Sequence, residues 1–167
     1  MSQEERYGTR DMSYSAWHRR NSIRRYVGIE AAQTLAMIDL DGSLWIEYDD
    51  KTKEPVALVE TAMDVGQWGK PCTVTRNLAK RANMPCFVLL YKLSATRRNP
   101  ADTAYFDVES LRVKRVYPEP EDRQWSILTP DAWARMLITI RRQGAATIDR
   151  AWIAEQLPGI PVNGVLF

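Results

Sequence analysis

The chain has 167 residues, a formal net charge of +2, and hydrophobic and charged contents of 45% and 26%. That is enough for one well-packed domain, too little to expect two, and ordinary for a globular protein. No apolar run reaches the roughly 18 residues of a membrane span, and the polar start MSQEERYGTR lacks the apolar stretch of a secretory leader. Cys72 and Cys86, with a single histidine in the chain, do not form a zinc-finger pattern, so reduced thiols in a cytoplasm are expected.

In chain order, Ser13 caps a predicted helix over 13–27, which Gly28 ends. "LAMIDLD" (35–41) reads as a strand, and Asp41-Gly42 reads as a tight turn into "SLWIEYD" (43–49). In the latter, Trp45 and Glu47 alternate with Ile46 and Tyr48. A polar turn, 49–55, leads to a third strand, "VALVET" (56–61). A loop with Gly66 and Gly69 follows, then a helix over 71–83 whose apolar stripe is Val74, Leu78 and Ala82. "CFVLLY" (86–91) is a buried strand, 94–104 a polar loop, and "LRVKRVY" (111–117) a further strand. Thr129-Pro130-Asp131 starts a helix over 130–142, and a second follows at 147–157. Trp125, Trp133 and Trp152 are expected in the core of this C-terminal part.

Charge is unevenly spread. Residues 31–64 carry eight acids against two lysines, whereas 65–98 carry no acid and seven bases. Arg19, Arg20, Arg24 and Arg25 add a basic run near the start. An acidic cluster flanked by basic segments suits a metal site within a phosphate-binding surface, although such charges also occur merely solvated.

The stretch 36–91 combines a paired DxD (Asp39, Asp41), the strand ending in Glu60, and a helix closing on Met84-Pro85. It resembles the core of the PD-(D/E)XK, or restriction-endonuclease-like, nuclease superfamily, and a group of uncharacterised, largely phage-borne proteins within its reach. The resemblance implies an α/β fold with a mixed β-sheet flanked by helices, as a single domain over 1–167. Its core would span about 13–117, with C-terminal helices over about 125–167. It further implies a magnesium (or manganese) ion on Asp39, Asp41 and Glu60, and phosphodiester hydrolysis. The lysine of the family's motif is absent, because its position is Ala62. Lys70 is the nearest replacement, and Gln67 a candidate to orient a water.

The residues support the same reading by their chemistry. Hydrolysis of a phosphodiester needs a divalent ion on oxygen ligands, an activated water and cations for the phosphate. Asp41, Glu60 and Lys70 are the candidate catalytic residues; Arg19, Arg20, Arg76, Lys80 and Arg81 are candidates for the nucleic acid, with DNA placed ahead of RNA. Bland alternatives stand beside these: Asp41 as a turn residue, Glu60 as a strand-end carboxylate in an ion pair, and the arginines as a solvated helix face. The lone histidine, His18, is more at home in packing than in catalysis. The competing functional class is a catalytically silent relative that binds a host protein, either alone or as a homodimer.

Overall fold

The computed structural model describes residues 24–35, 40–100 and 102–156. The chain divides into two compact units, 1–39 and 40–167. Within the first, helices α1 (Arg24–Val27) and α2 (Ile29–Thr34) meet at Gly28. Its φ of +81° is a left-handed backbone that glycine adopts without a Cβ clash. The remainder of the expected first helix, with His18, Arg19 and Arg20, lies outside the described residues, and so does Asp39. Of the expected strand 35–41, the described ends lie in no strand: Leu35 caps α2, and Leu40 and Asp41 precede β1.

The second unit carries β1 (Gly42–Glu47), β2 (Lys53–Met63), α3 (Thr73–Arg81), β3 (Cys86–Arg98), β4 (Phe106–Tyr117), β5 (Ser126–Leu128) and α4 (Pro130–Gln156). The strands form one five-stranded sheet in chain order, β1 to β5. All neighbours are antiparallel except β2 and β3, which run parallel with α3 in the connection between them. A parallel pair requires such a crossover, whereas antiparallel neighbours need only a turn. At the β1–β2 turn, the Asp50 carboxylate accepts from the Thr52 amide at 2.9 Å, and Lys51 takes a positive φ. The result is the expected α/β class, a mixed sheet with helices on it.

Side chains alternate between the two faces of each strand. Ala57, Phe87, Leu89, Leu111 and Val113 form one buried face, on which α4 lays Ile140, Trp133 and Met136. Phe87 meets Trp133 edge-on, with ring centres 6.1 Å apart. Leu58 and Cys86 face the other way, against Ala79 of α3.

Four expectations are corrected. The helix stripe on α3 is rotated by one residue: Thr75 and Ala79 are buried, while Val74, Leu78 and Ala82 are exposed. Small side chains let the helix approach the sheet, and Thr75 is needed inward for the reason given below. The loop expected at 94–104 begins later, since β3 continues to Arg98 beside β4. There Arg97 donates to Asp107 at 2.8 Å, and Arg98 lies over the Phe106 ring, so the ribbon is held by polar pairing that hydrophobic pattern does not register. The two C-terminal helices are one helix of 27 residues, passing through Gly144. That glycine is a point of close approach: a Cβ there would sit 2.6 Å from the Val56 Cβ. Finally, Trp152 is 62% exposed and is not a core residue.

Candidate functional site

Glu60 is a carboxylate inside the sheet, only 4% exposed. A charge so placed requires compensation, and both of its oxygens receive it. The Thr75 hydroxyl donates to Oε1, and the Lys70 ammonium lies 2.7 Å from Oε2. This explains the rotation of α3, because only the Thr75 side of the helix offers a hydroxyl to the buried acid.

Lys70 also donates to Asp41 Oδ2 and, at 2.9 Å, to the Thr61 carbonyl. An ammonium has three donors, and here each has an oxygen partner. Asp41 accepts in addition from the Thr61 amide at 2.8 Å. Asp41 therefore does not turn a tight hairpin; it precedes β1 and reaches across to β2. Burial pushes the Asp41 carboxyl up, but the bonds from Lys70 and the Thr61 amide outweigh it and leave the group below its ordinary value. Burial likewise opposes the charge on Lys70, and the hydrogen bonds and charges of Asp41 and Glu60 overcome that, leaving its pKa raised.

The loop between β2 and α3 delivers Lys70. Asp64 accepts from Arg112 Nε at 2.6 Å and from the Gly66 amide at 3.0 Å, and the same guanidinium holds the Gln67 carbonyl at 2.8 Å. Gly66 turns the chain with a φ of +85°. Gln67 is bonded inside the loop: its Oε1 accepts from the Val65 amide and its Nε2 donates to the Met63 carbonyl, each at 2.7 Å. The side chain keeps one N–H and one oxygen lone pair beyond these bonds.

Along the sheet, Glu60 lies opposite Val88, and Val88 opposite Lys114. Lys114 thereby joins the same face, where a cleft of about 430 Å³ is lined by Trp68, Lys70, Cys72, Val88, Lys114 and Trp125, among others. Arg112 and Lys114 both stand over the Trp125 ring, 5.2 and 6.0 Å from its centre. The Cys72 thiol on the cleft wall is pushed up by burial and by the Glu60 charge, while the charges of Arg76, Lys114 and Lys70 pull the other way.

The expected phosphate contacts divide. Arg76, Lys80 and Arg81 are exposed on α3 and, among the described residues, form no ion pair. Lys92 and Arg97, from the same acid-free segment, instead pair with Glu109 and Asp107 of β4. Among the described residues, no group of three or more histidines, cysteines, aspartates and glutamates is arranged to hold a metal. Asp41 and Glu60 share Lys70, and the third expected ligand, Asp39, lies outside the described residues. Glu47, 3.9 Å from Lys53, is an ordinary surface pair.

Sequence reasoning missed Thr75, Lys114 and Trp68, and it placed in the core Trp125, which is half-buried and lines the cleft. Lys114 was accessible from the alternation in "LRVKRVY", which sets Arg112 and Lys114 on the face opposite Leu111 and Val113. Comparison with protein families, curated proteins and solved structures returns no match.

Proposed function

We propose that the chain is a metal-dependent nuclease, or a nucleic-acid-binding protein derived from one, with Asp41, Glu60 and Lys70 as its centre. The observation that carries this reading is the convergence of two carboxylates, from different elements, on one ammonium beside a cation-lined cleft. A lone structural ion pair needs only one carboxylate. Two oxygens that reach a single nitrogen can also share a single small cation, and oxygen donors of this kind are what magnesium takes. Asp41 and Glu60 are the residues that would hold magnesium or manganese. Such an ion supplies Lewis-acid polarisation of the phosphoryl oxygen and an acidified water.

The remaining work falls to the chain itself. Lys70 is the cation to meet the phosphate oxygen on which charge develops, the role left vacant by Ala62, and it exchanges one of its three present partners to do so. Thr75 fixes the Glu60 carboxylate by its hydroxyl. Arg76, Lys80 and Arg81 offer charge to the flanking phosphates. DNA is the proposed substrate.

Labelled DNA incubated with magnesium or manganese should be cut by the native chain, and Glu60→Gln should abolish cleavage. Lys70→Ala should slow it while calorimetry still detects metal binding. Metal binding without cleavage identifies a silent relative of such enzymes, and a protein partner then becomes the better reading. Neither metal binding nor cleavage would make the triad purely structural and overturn the proposal.

A further inference from the structure

Trp68 is 90% exposed, yet it is not at the end of a slack loop. The residue before it is fixed by the bond from Arg112 to the Gln67 carbonyl, and the residue after it, Gly69, lies against Trp125. A large apolar ring is thus held out in water at the mouth of the cleft that leads to Lys70. Arg112 and Lys114 stand over the Trp125 ring, whereas no cation is placed over that of Trp68 among the described residues.

The cleft walls carry Lys70 and Lys114; Asp41 and Glu60 behind Lys70 offset its charge, so Lys114 supplies the cation that is unpaired among the described lining residues. Arg76 lies one helical turn beyond Cys72 of the cleft wall, its amide donating to the Cys72 carbonyl at 2.8 Å, and with it the charge favours an anionic occupant. An exposed aromatic beside cations is the combination that binds single-stranded nucleic acid, where bases stack on the ring and phosphates follow the charge. A volume of about 430 Å³ lies in the range of roughly 300–1,000 Å³ typical of small-molecule sites and suits one nucleotide. A base-paired duplex keeps its base faces stacked and cannot offer one to Trp68 without extruding a nucleotide.

We infer that this cleft takes an unpaired nucleotide, with its base on Trp68 and its phosphates on Lys114 and Arg76, so that the substrate is a single strand or a frayed end. The inference rests on the nucleic-acid reading above and narrows it.

The test is fluorescence anisotropy with an end-labelled thymidine oligonucleotide, its uridine counterpart and a blunt duplex of equal length, in metal-free buffer. The single strand should bind at least about tenfold tighter than the duplex, and Trp68→Ala should weaken that binding by about tenfold, the size of one base–aromatic stack. The duplex should be little affected by Trp68→Ala. Lys114→Ala should reduce the salt dependence of single-strand binding. Trp68 is on the surface, so its variant should keep the native circular dichroism. The two oligonucleotides report whether DNA or RNA is preferred. Equal binding of strand and duplex, or a Trp68→Ala variant that binds as the native chain does, overturns the inference. In that event, cleavage lost in Glu60→Gln would leave the nuclease reading standing. Absence of binding to every probe overturns the inference, and cleavage with magnesium or manganese then decides the nuclease reading by itself.

Discussion

Lys70 Nζ stands 2.7 Å from Glu60 Oε2, with the glutamate almost wholly buried and the lysine at the edge of the cleft. The pair stabilises the fold only as a pair. Removing the cation leaves a buried carboxylate with no opposite charge, which typically costs about 3–5 kcal/mol. Lys70 is partly exposed, so water offsets some of this.

Lys70→Met should therefore destabilise the chain by about 3 kcal/mol, and adding Glu60→Gln should recover most of the loss. Urea denaturation of the two single variants and the double variant measures the coupling. Additive losses would show that the two groups do not interact.

Gly144 allows α4 to lie on β2. Alanine is the better helix former by about 1 kcal/mol, but its Cβ would meet the Val56 Cβ at 2.6 Å and Cγ1 at 2.7 Å. Val56 is buried, branched at Cβ and fixed in a strand, so it has no rotamer by which to retreat. The clash should win. Gly144→Ala is expected to lower stability by about 1–3 kcal/mol, the usual cost of overpacking, read as a fall in the urea midpoint. An unchanged or raised midpoint would show that α4 sits further from the sheet.

The charge pairs also set a pH profile. Hydrogen bonds from Arg112 hold the Asp64 carboxyl below its ordinary 3.8, and Asp41 is depressed as described. A depressed acid stabilises the fold above its unfolded pKa and loses that contribution as pH falls through the folded value. Lys70, raised above 10.5, behaves in the opposite sense: its contribution is full below 10.5 and lost as pH rises through the higher folded value. Stability from these groups should thus be level from about pH 5 to 10 and decline at both ends. Asp64→Asn should flatten the acid limb, as followed by denaturation at stepped pH. An acid limb of unchanged slope would place the titration elsewhere.

Much of the frame was legible in the sequence. "VALVE" and "CFVLLY" are apolar enough to be buried on both faces, and the glycines of the loop after Met63 leave room for Lys70 to fold back toward Glu60. What was hidden depended on partners distant in sequence. The stripe Val74, Leu78 and Ala82 is a fair helical pattern, but the buried acid of β2 required the hydroxyl of Thr75. Gly144 resembles a helix stop and is instead a contact point with Val56. The three residues of β5 are too few to show a period. Of the candidate site, Lys70 was drawn to Asp41 and Glu60 as the nearest substitute for the lysine absent at Ala62, and Lys114 was open to the alternation of β4, whereas the place of the two tryptophans depends on the path of the loops.

The sheet order follows the chain order, and this bears on how the molecule assembles. Each antiparallel neighbour is reached through a short return of the chain, which makes pairing local and fast. The exception is the junction of β2 with β3, whose closure must span residues 64–85 and place α3 on the sheet. That step carries the largest loop entropy within the sheet and should set the refolding rate. Truncation of Leu58 or Cys86 at this seam should slow refolding. Truncation of Leu128 on β5, which packs on the core, should instead act on unfolding alone, a contrast that stopped-flow chevrons resolve. Asp41 and Glu60 would meet early with the β1–β2 pairing, and Lys70 would join them only in this later event, so the site would be complete only with the complete fold.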